Sequence, residues 1–219
     1  MLIAEELFLL LRRDDGKPES AMAHRGYGFA AALLTDLVVA GRITLSDDKD
    51  PRMSVLHAGP VGHPALDAAM TRLEARDGKK LSSLVTDGKL AREAELAEAL
   101  RAAGVIRIEE KRVLGLVPES YPVVDPEPER RVRERLRTVL LGGTPSTGDA
   151  ALLAILQGLG MAPKVLEDEK GILGKKELAQ RIEEASGDVA TGDAVGKAVA
   201  AMNTAMMTAV ILPIVVSGS

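Results

Sequence analysis

A cluster of basic and titratable side chains lies near the start of the chain. Arg12, Arg13, Lys17, His24 and Arg25 fall within 14 residues. Two or three lysines or arginines that converge can bind the oxygens of a phosphate dianion, because each charge-assisted hydrogen bond contributes about 1.5–3 kcal/mol. The segment is therefore a candidate anion-binding site. The alternative is a solvated loop with a chance excess of positive charge.

A second concentration of positive charge lies on a predicted helix, Glu129 to Leu141. Its apolar residues share one face, and five arginines surround the rest of it: Arg130, Arg131, Arg133, Arg135 and Arg137. Such a helix can lie against an anionic bilayer, where each basic side chain contributes roughly 1 kcal/mol. Alternatively, Glu129 and Glu134 pair with these arginines, and the helix is ordinary exposed structure.

Residue patterns that carry catalysis are sparse. His24, His57 and His63 show no HExxH or HxH spacing, and no acidic residue is placed to complete a metal site. None of the GxSxG, GxxxxGK[ST] or GxGxxG motifs occurs. The absence of cysteine excludes disulfides, thiolate-bound metal and thiol catalysis. The sequence therefore predicts no enzyme activity, no metal and no cofactor.

Composition indicates a globular protein with an aliphatic core. The 219 residues are 46% apolar and 27% charged, but only 2% are aromatic. A core of aliphatic side chains suits helices that pack on helices. The net charge of −4 argues weakly against general nucleic-acid binding, which needs clustered lysine and arginine. The lack of cysteine agrees with a reducing compartment, so we expect a cytoplasmic protein.

One stretch, Ala31 to Leu45, predicts the local architecture. Apolar residues recur at helical spacing, Gly41 suits a helix end, and the last four residues alternate as a strand does. The same pattern returns from Leu96 to Ile108. Ala150 to Leu159 is apolar throughout, which predicts a central helix. The expected fold is mainly α, a helical bundle around a buried apolar helix, with small β-hairpins following two of the helices.

The remaining segments give more local predictions. Ser20 to Gly28 is predicted as a loop, and Thr147 or Asp149 as the N-cap of the apolar helix. We further expect a hairpin turn at Glu109–Arg112 with its returning strand at Val113–Leu116, a loop over Val117–Pro128, a surface helix over Glu177–Ala185, a turn over Ser186–Asp193 and a closing helix over Ala194–Leu212. No charge occurs from Ala198 to Ser219, so a buried helix is expected there, with a membrane tail anchor as the alternative.

The order of these elements resembles the Golgi phosphoprotein 3 family over nearly the whole chain. The segments that carry the resemblance are MLIAEELFLLL, LLTDLVVAGRITL, GHPALDAAM, LAEALRAAGVIRIEEKRVLGL, YPVVDPEPERRVRERLRTVLL and DAALLAILQGLG. It implies a single domain over residues 1–219 and a peripheral membrane protein that binds phosphatidylinositol 4-phosphate as a non-catalytic adaptor. The usage of Ala, Gly, Val and Arg also reads like that of a bacterial protein from a GC-rich genome.

The resemblance does not carry over the family's lipid-site residues. The family's tryptophan falls on Ala21, its nearby arginine on Ala30, and its later pair of arginines on Leu90 and Glu93. Arg25, Lys89 and Arg92 lie within a few residues of those positions, so an altered cationic pocket is expected. The candidate headgroup site comprises Arg12, Arg13, Arg25, Lys89 and Arg92, and the candidate membrane-facing helix presents Arg130, Arg131, Arg133 and Arg137.

The expected partners follow from this resemblance. They are an anionic phospholipid membrane, client membrane proteins and, as a further option, a second copy of the chain, but no nucleic acid. A protein-interaction scaffold that has lost lipid recognition is one alternative. Another is a winged-helix-like nucleic-acid-binding protein, since helix, glycine, strand and charged turn occur twice. The presumptive recognition helices, Ala31–Ala40 and Ala91–Ala103, carry little positive charge, which argues against it.

Overall fold

Helices make up most of the fold, which is described by a computed structural model for residues 1–13, 15–18, 24–109, 120–190, 196, 199–202 and 204–205. In chain order the elements are α1 Ile3–Leu10, α2 Arg25–Val39, β1 Ile43–Leu45, β2 Met53–Val55, α3 Pro64–Glu74, α4 Leu81–Val85, α5 Glu93–Ala102, α6 Glu127–Leu140, α7 Thr147–Gly158, α8 Ala162–Val165 and α9 Lys175–Ala190. The predicted mainly α class is confirmed.

Helix α1 is buried along its whole length and packs against α2, α5, α6 and α7. A buried helix start needs partners for its first backbone N–H groups. Asp36 of α2 supplies them, because its carboxylate accepts from the backbone N–H groups of Ile3 at 2.9 Å and Ala4 at 3.0 Å. Helix α7 is also buried, as its apolar sequence predicts, and it packs on α1, α2 and α9.

The first predicted helix-and-hairpin unit is confirmed. Gly41 follows α2 with a φ of +64°, a conformation that glycine adopts without strain. Strands β1 and β2 then pair antiparallel, with Thr44 opposite Ser54. The predicted loop over Ser20–Gly28 is wrong in its last part, because α2 begins at Arg25. Glycine at 28 lets α2 approach α7 closely, since a Cβ there would lie 2.8 Å from Leu159 Cδ1.

The second unit follows the prediction only as far as Gly104, which ends α5 with a φ of +76°. Beyond it, two isolated antiparallel bridges join Ile106 to Val123 and Glu109 to Ser120. Glu109 is therefore part of a hairpin arm and not of the predicted turn, and the predicted loop supplies the other arm. Charged residues suit an exposed strand as well as a turn, so the charge at Glu109 alone does not distinguish the two. The predicted returning strand lies outside the described residues.

The C-terminal half differs from the prediction mainly at helix ends. The N-cap of α7 is Ser146, whose hydroxyl accepts from the Asp149 backbone N–H at 3.1 Å, so neither predicted capping residue holds that position. Helix α9 continues through Ser186, which is buried and donates its hydroxyl to the Ile182 carbonyl oxygen at 2.9 Å, so the predicted turn there is wrong. Short α8 was not predicted.

The closing apolar segment is described only in part. Residues 196, 199–202, 204 and 205 are helical, and Val199 and Met202 are buried. The rest of the predicted closing helix lies outside the described residues. Within the part of the chain that the structure describes, no helix is long and apolar enough to cross a membrane.

Candidate anion-binding site

Arg12 follows the end of α1 and is almost fully enclosed. Only 5% of its side chain is exposed. Its guanidinium lies over the Phe8 ring, 4.1 Å from the centroid, and 4.4 Å from the centroid of the Tyr121 ring. Phe8 also contacts Phe29, with ring centroids 6.0 Å apart. Two aromatic rings therefore contact this cation, and such contacts favour positive charge.

A tight loop connects Arg12 to the base of the hairpin. Gly16 has a φ of +75°, and its carbonyl oxygen accepts from Arg12 Nη1 at 3.3 Å and from the Tyr121 backbone N–H at 3.2 Å. A Cβ at position 16 would lie 2.3 Å from the backbone of Tyr121 and Pro122. Glycine is thus required for both the turn and the close approach. The loop fixes Arg12 against the hairpin.

Glu93 is the point at which the basic residues converge. It is the first residue of α5, and its carboxylate forms an ion pair with Arg12 and a second with Arg25, whose Nε lies 3.1 Å from Oε2. Arg25 itself begins α2. Side chains from the α1 end, the α2 start and the α5 start therefore meet around one carboxylate. We call Arg12, Arg25 and Glu93 the Glu93 cluster.

The Glu93 cluster has more positive than negative charge. Burial and the proximity of Arg25 lower the pKa of Arg12 to about 10, so this guanidinium is still protonated at neutral pH. Its Nε is buried and has no hydrogen-bond partner among the described residues. Two guanidinium groups thus share one carboxylate, and the electrostatic potential at this point favours an anion.

The other candidate headgroup residues lie close to the Glu93 cluster along the chain. Arg13 is about half exposed and pairs with Asp15 at 3.5 Å. Arg92 precedes Glu93 as the N-cap residue of α5, and Lys89 lies four residues before Glu93; both are exposed. Neither of their side chains forms a hydrogen bond or ion pair with a described residue. Arg12 and Arg25 are thus brought together through Glu93, whereas Arg13 pairs with Asp15 instead.

A cleft of about 350 Å³ opens beside Arg12. Its lining is strongly charged and comes from the α1 end, α6 and the α8 region: Leu10, Arg12, Arg13, Glu129, Arg133, Lys164, Val165, Glu167 and Asp168. This size lies at the small end of the range for ligand pockets. The cleft offers a small polar ligand access to the neighbourhood of Arg12. Among the described residues, no group of three His, Asp or Glu could hold a metal ion.

The arginines of α6 are mostly engaged within the protein. Arg130 pairs with Glu127 and Glu134, and Arg131 pairs with Glu127 at 2.8 Å. Arg133 contacts Glu129 at 2.8 Å and Glu169 at 3.1 Å, and it donates to the Val165 carbonyl oxygen. Arg137 is exposed, and its side chain forms no hydrogen bond or ion pair with a described residue. These pairs favour the structural interpretation of the helix over a membrane-facing one.

The family model for Golgi phosphoprotein 3 (GPP34) matches residues 3–206. The chain belongs to the Golgi phosphoprotein 3 family. No curated protein matches the sequence. Membership confirms the resemblance on which the predicted site partly depends.

The positions on which the sequence comparison places the family's lipid-site residues differ in their surroundings. Ala30 and Leu90 are fully buried, so these positions offer nothing to a ligand. Ala21 lies outside the described residues. Glu93 is at the centre of the cluster, a role that sequence reasoning missed. The signal was present, since an acid where the family has an arginine suggests a counter-ion for nearby arginines.

Proposed function

We propose that this chain is a peripheral membrane protein that binds a phosphorylated anionic lipid headgroup, phosphatidylinositol 4-phosphate or a close relative, as a non-catalytic adaptor. The observation that carries the proposal is the Glu93 cluster, in which two arginines from different elements converge at a helix start with only one carboxylate between them. Membership of the Golgi phosphoprotein 3 family supports it. We place the protein in the cytoplasm, attached peripherally to an anionic membrane, where it recruits client membrane proteins.

The surroundings of the cluster support headgroup binding at a membrane surface. Exposed Arg92 and Lys89 lie beside Glu93 in the chain and provide further positive charge for phosphate oxygens. Tyr121, whose ring contacts Arg12, lies in the Ser120–Val123 arm of the hairpin, which pairs with Ile106–Glu109. A lipid bound at the cluster would therefore bring the hairpin close to the bilayer.

The test is vesicle flotation of a double variant, Arg25→Ala with Arg92→Ala. Each charge-assisted hydrogen bond that is lost weakens binding about tenfold or more, so the variant should no longer float with phosphatidylinositol 4-phosphate vesicles. The matched control is Arg101→Ala with Arg181→Ala, which removes the same charge from exposed i,i+3 pairs elsewhere. Unchanged flotation of the Arg25/Arg92 variant would refute the site.

A protein-interaction scaffold without lipid recognition is the second candidate. It is favoured by Glu93, a negative charge where the family has an arginine, and by the buried Ala30 and Leu90. Capture of the same client proteins with and without phosphatidylinositol 4-phosphate vesicles separates the two functions. An adaptor needs the vesicles, whereas a scaffold binds its clients equally well without them. Self-association is a separate proposal, and sedimentation of the purified chain tests it.

Burial of α2 argues against the winged-helix alternative. The helix that would serve as the first recognition helix, α2, is buried from Gly28 through Val38. A recognition helix must present its side chains to a DNA groove. Since most of α2 packs within the protein, it is not available for that role.

A further inference from the structure

Glu93 differs from the other acidic residues around the start of α5. Each of the other three carboxylates between residues 87 and 98 pairs with an arginine that belongs to no candidate site: Asp87 with Arg76, Glu95 with Arg72, and Glu98 with Arg101. Glu93 instead contacts Arg12 and Arg25, two of the residues expected to hold a phosphate. Its position, and not merely its charge, therefore sets it apart.

The carboxylate of Glu93 lies where a bound anion would be most stable. Arg12 and Arg25 contact it from two sides, and the N-terminal end of α5 adds the positive end of a helix dipole. Arg12 is nine-tenths buried, and its Nε remains without a partner among the described residues. The site thus retains unsatisfied capacity for an anion even with Glu93 in place.

We infer that the Glu93 carboxylate is an internal ligand of the headgroup site, which a phosphomonoester must displace in order to bind. This inference depends on the proposed function. Glu93 is 25% exposed and Arg25 30% exposed, so the Glu93 side chain can turn towards water while buried Arg12 stays in place. Displacement leaves both guanidinium groups to the incoming phosphate.

The internal carboxylate sets an affinity threshold that a ligand of low charge does not reach. A phosphodiester carries one negative charge, so it offers the two arginines no more charge than the carboxylate it would displace. A phosphomonoester approaches two negative charges at neutral pH and gains correspondingly more. Glu93 thereby lowers the affinity for every anion by the same factor, because the cost of displacing it does not depend on the ligand. A singly charged phospholipid gains less from the two arginines, so it falls below measurable binding while a phosphorylated headgroup still binds.

The test compares Glu93→Gln with the wild-type chain. Glutamine keeps the size and an oxygen acceptor but removes the competing charge. We expect about tenfold tighter binding to vesicles that contain phosphatidylinositol 4-phosphate, the change that one charge-assisted hydrogen bond makes. Binding to vesicles with phosphatidylinositol should increase by the same factor, because the cost of displacing Glu93 is the same for both lipids. Glu98→Gln, which removes an exposed charge from the same helix, should change neither affinity more than about twofold.

A second variant guards against misfolding, because Glu93→Gln leaves buried Arg12 without its counter-ion. Glu93→Asp keeps the charge but draws the carboxylate back by one methylene, and it should tighten binding in the same direction by a smaller factor. Circular dichroism verifies the fold of both variants. If Glu93→Gln does not fold, the affinity of Glu93→Asp tests the inference alone. Tighter binding than that of the wild-type chain supports the internal ligand, and unchanged binding refutes it.

The outcomes separate this inference from the proposed function. If the wild-type chain binds phosphatidylinositol 4-phosphate vesicles and neither variant binds more tightly, the internal ligand is refuted and the headgroup site stands. If no chain binds any phosphorylated probe, both are refuted. Soluble inositol 1,4-bisphosphate should show the same enhancement as the vesicles. Enhancement for inorganic phosphate alone would refute the lipid as the displacing ligand.

Discussion

At the scale of single residues, Asp36 shows how a buried carboxyl group fixes the start of a helix. It binds the first two N–H groups of α1, yet burial raises the pKa of Asp36 from an ordinary value of 3.8 to about 7. Nearby Glu5 and Glu6 act in the same direction. The native state therefore holds a proton over a pH range in which the unfolded chain has released it.

We predict that Asp36 makes the protein less stable as pH rises. From about pH 4 to pH 7 the native state binds one more proton at this group than the unfolded state, so its contribution to the free energy of unfolding falls by up to about 1.4 kcal/mol per pH unit. Asp36→Asn does not titrate. Urea denaturation at several pH values should give a difference between wild type and variant that falls across this range and levels off above it. If the difference in free energy of unfolding between wild type and Asp36→Asn did not change with pH, the raised pKa of Asp36 would be contradicted.

Sequence alone predicts part of this residue-scale chemistry. Arg12 and Arg25 are identifiable because positive charge is dense around them. Glu93 and Tyr121 are not, since their contacts with Arg12 join residues about 80 and 110 positions apart. No local pattern encodes such distances. Long-range ion pairs and ring contacts depend on how the helices pack, which charge patterns alone do not determine.

At the scale of elements, the loop at Gly16 connects α1 to the hairpin. We predict that Gly16→Ala destabilises the protein by well over the 1–2 kcal/mol that a left-handed conformation costs alanine, because its Cβ would also collide with the Tyr121 and Pro122 backbone. Gly41→Ala is the matched control. Its φ is also positive, but nothing lies within 4 Å of the added Cβ, so it should show only the conformational cost. Equal losses of stability for Gly16→Ala and Gly41→Ala in thermal denaturation would disprove the close approach of Gly16 to the Tyr121 and Pro122 backbone.

The arginines of α6 give a second prediction at this scale. Arg135 joins three helices, because it contacts Glu6 of α1 at 2.8 Å and Asp149 of α7 at 2.9 Å. Arg135→Ala leaves two largely buried carboxylates without this partner and should cost about 1–3 kcal/mol in urea unfolding. Arg131 is 69% exposed and pairs only within α6, so Arg131→Ala should stay within about 0.5 kcal/mol. If Arg135→Ala and Arg131→Ala lowered the free energy of unfolding by similar amounts, a structural role of Arg135 would be contradicted.

Element types were more predictable than element ends. The repeated helix, glycine and strand pattern locates α2, β1 and α5 because apolar spacing reports the buried face directly. The predicted starts of α2 and α7 were wrong by a few residues. Gly26 and Gly28 are weak helix formers, so the first turn of α2 reads as loop. At α7, Ser146, Thr147 and Asp149 are all suitable N-cap residues, and the sequence does not distinguish between them. The predicted turn of the hairpin after α5 was wrong at Glu109, because this charged residue lies in an arm of the hairpin. Tertiary packing decides these positions.

At the scale of the whole molecule, one hydrophobic cluster contains buried residues from α1 to α9 and from the closing helix. We therefore propose that the chain is a single domain. It should unfold in one cooperative transition, with the calorimetric enthalpy equal to the van't Hoff enthalpy. Because the chain has no tryptophan, circular dichroism and calorimetry are the suitable probes. Two separated transitions would show that the cluster joins two independent units.

The account as a whole depends on recognition of a phosphorylated headgroup, not of negative charge in general. The most direct measurement is flotation of the wild-type chain with two sets of vesicles matched in net charge, one with phosphatidylinositol 4-phosphate and one with phosphatidylserine, over a salt series. We predict a preference for the phosphorylated lipid that persists at about 0.15 M salt, because paired charges in a partly buried site are weakly screened. Equal binding to both lipids that disappears as salt rises would contradict the account.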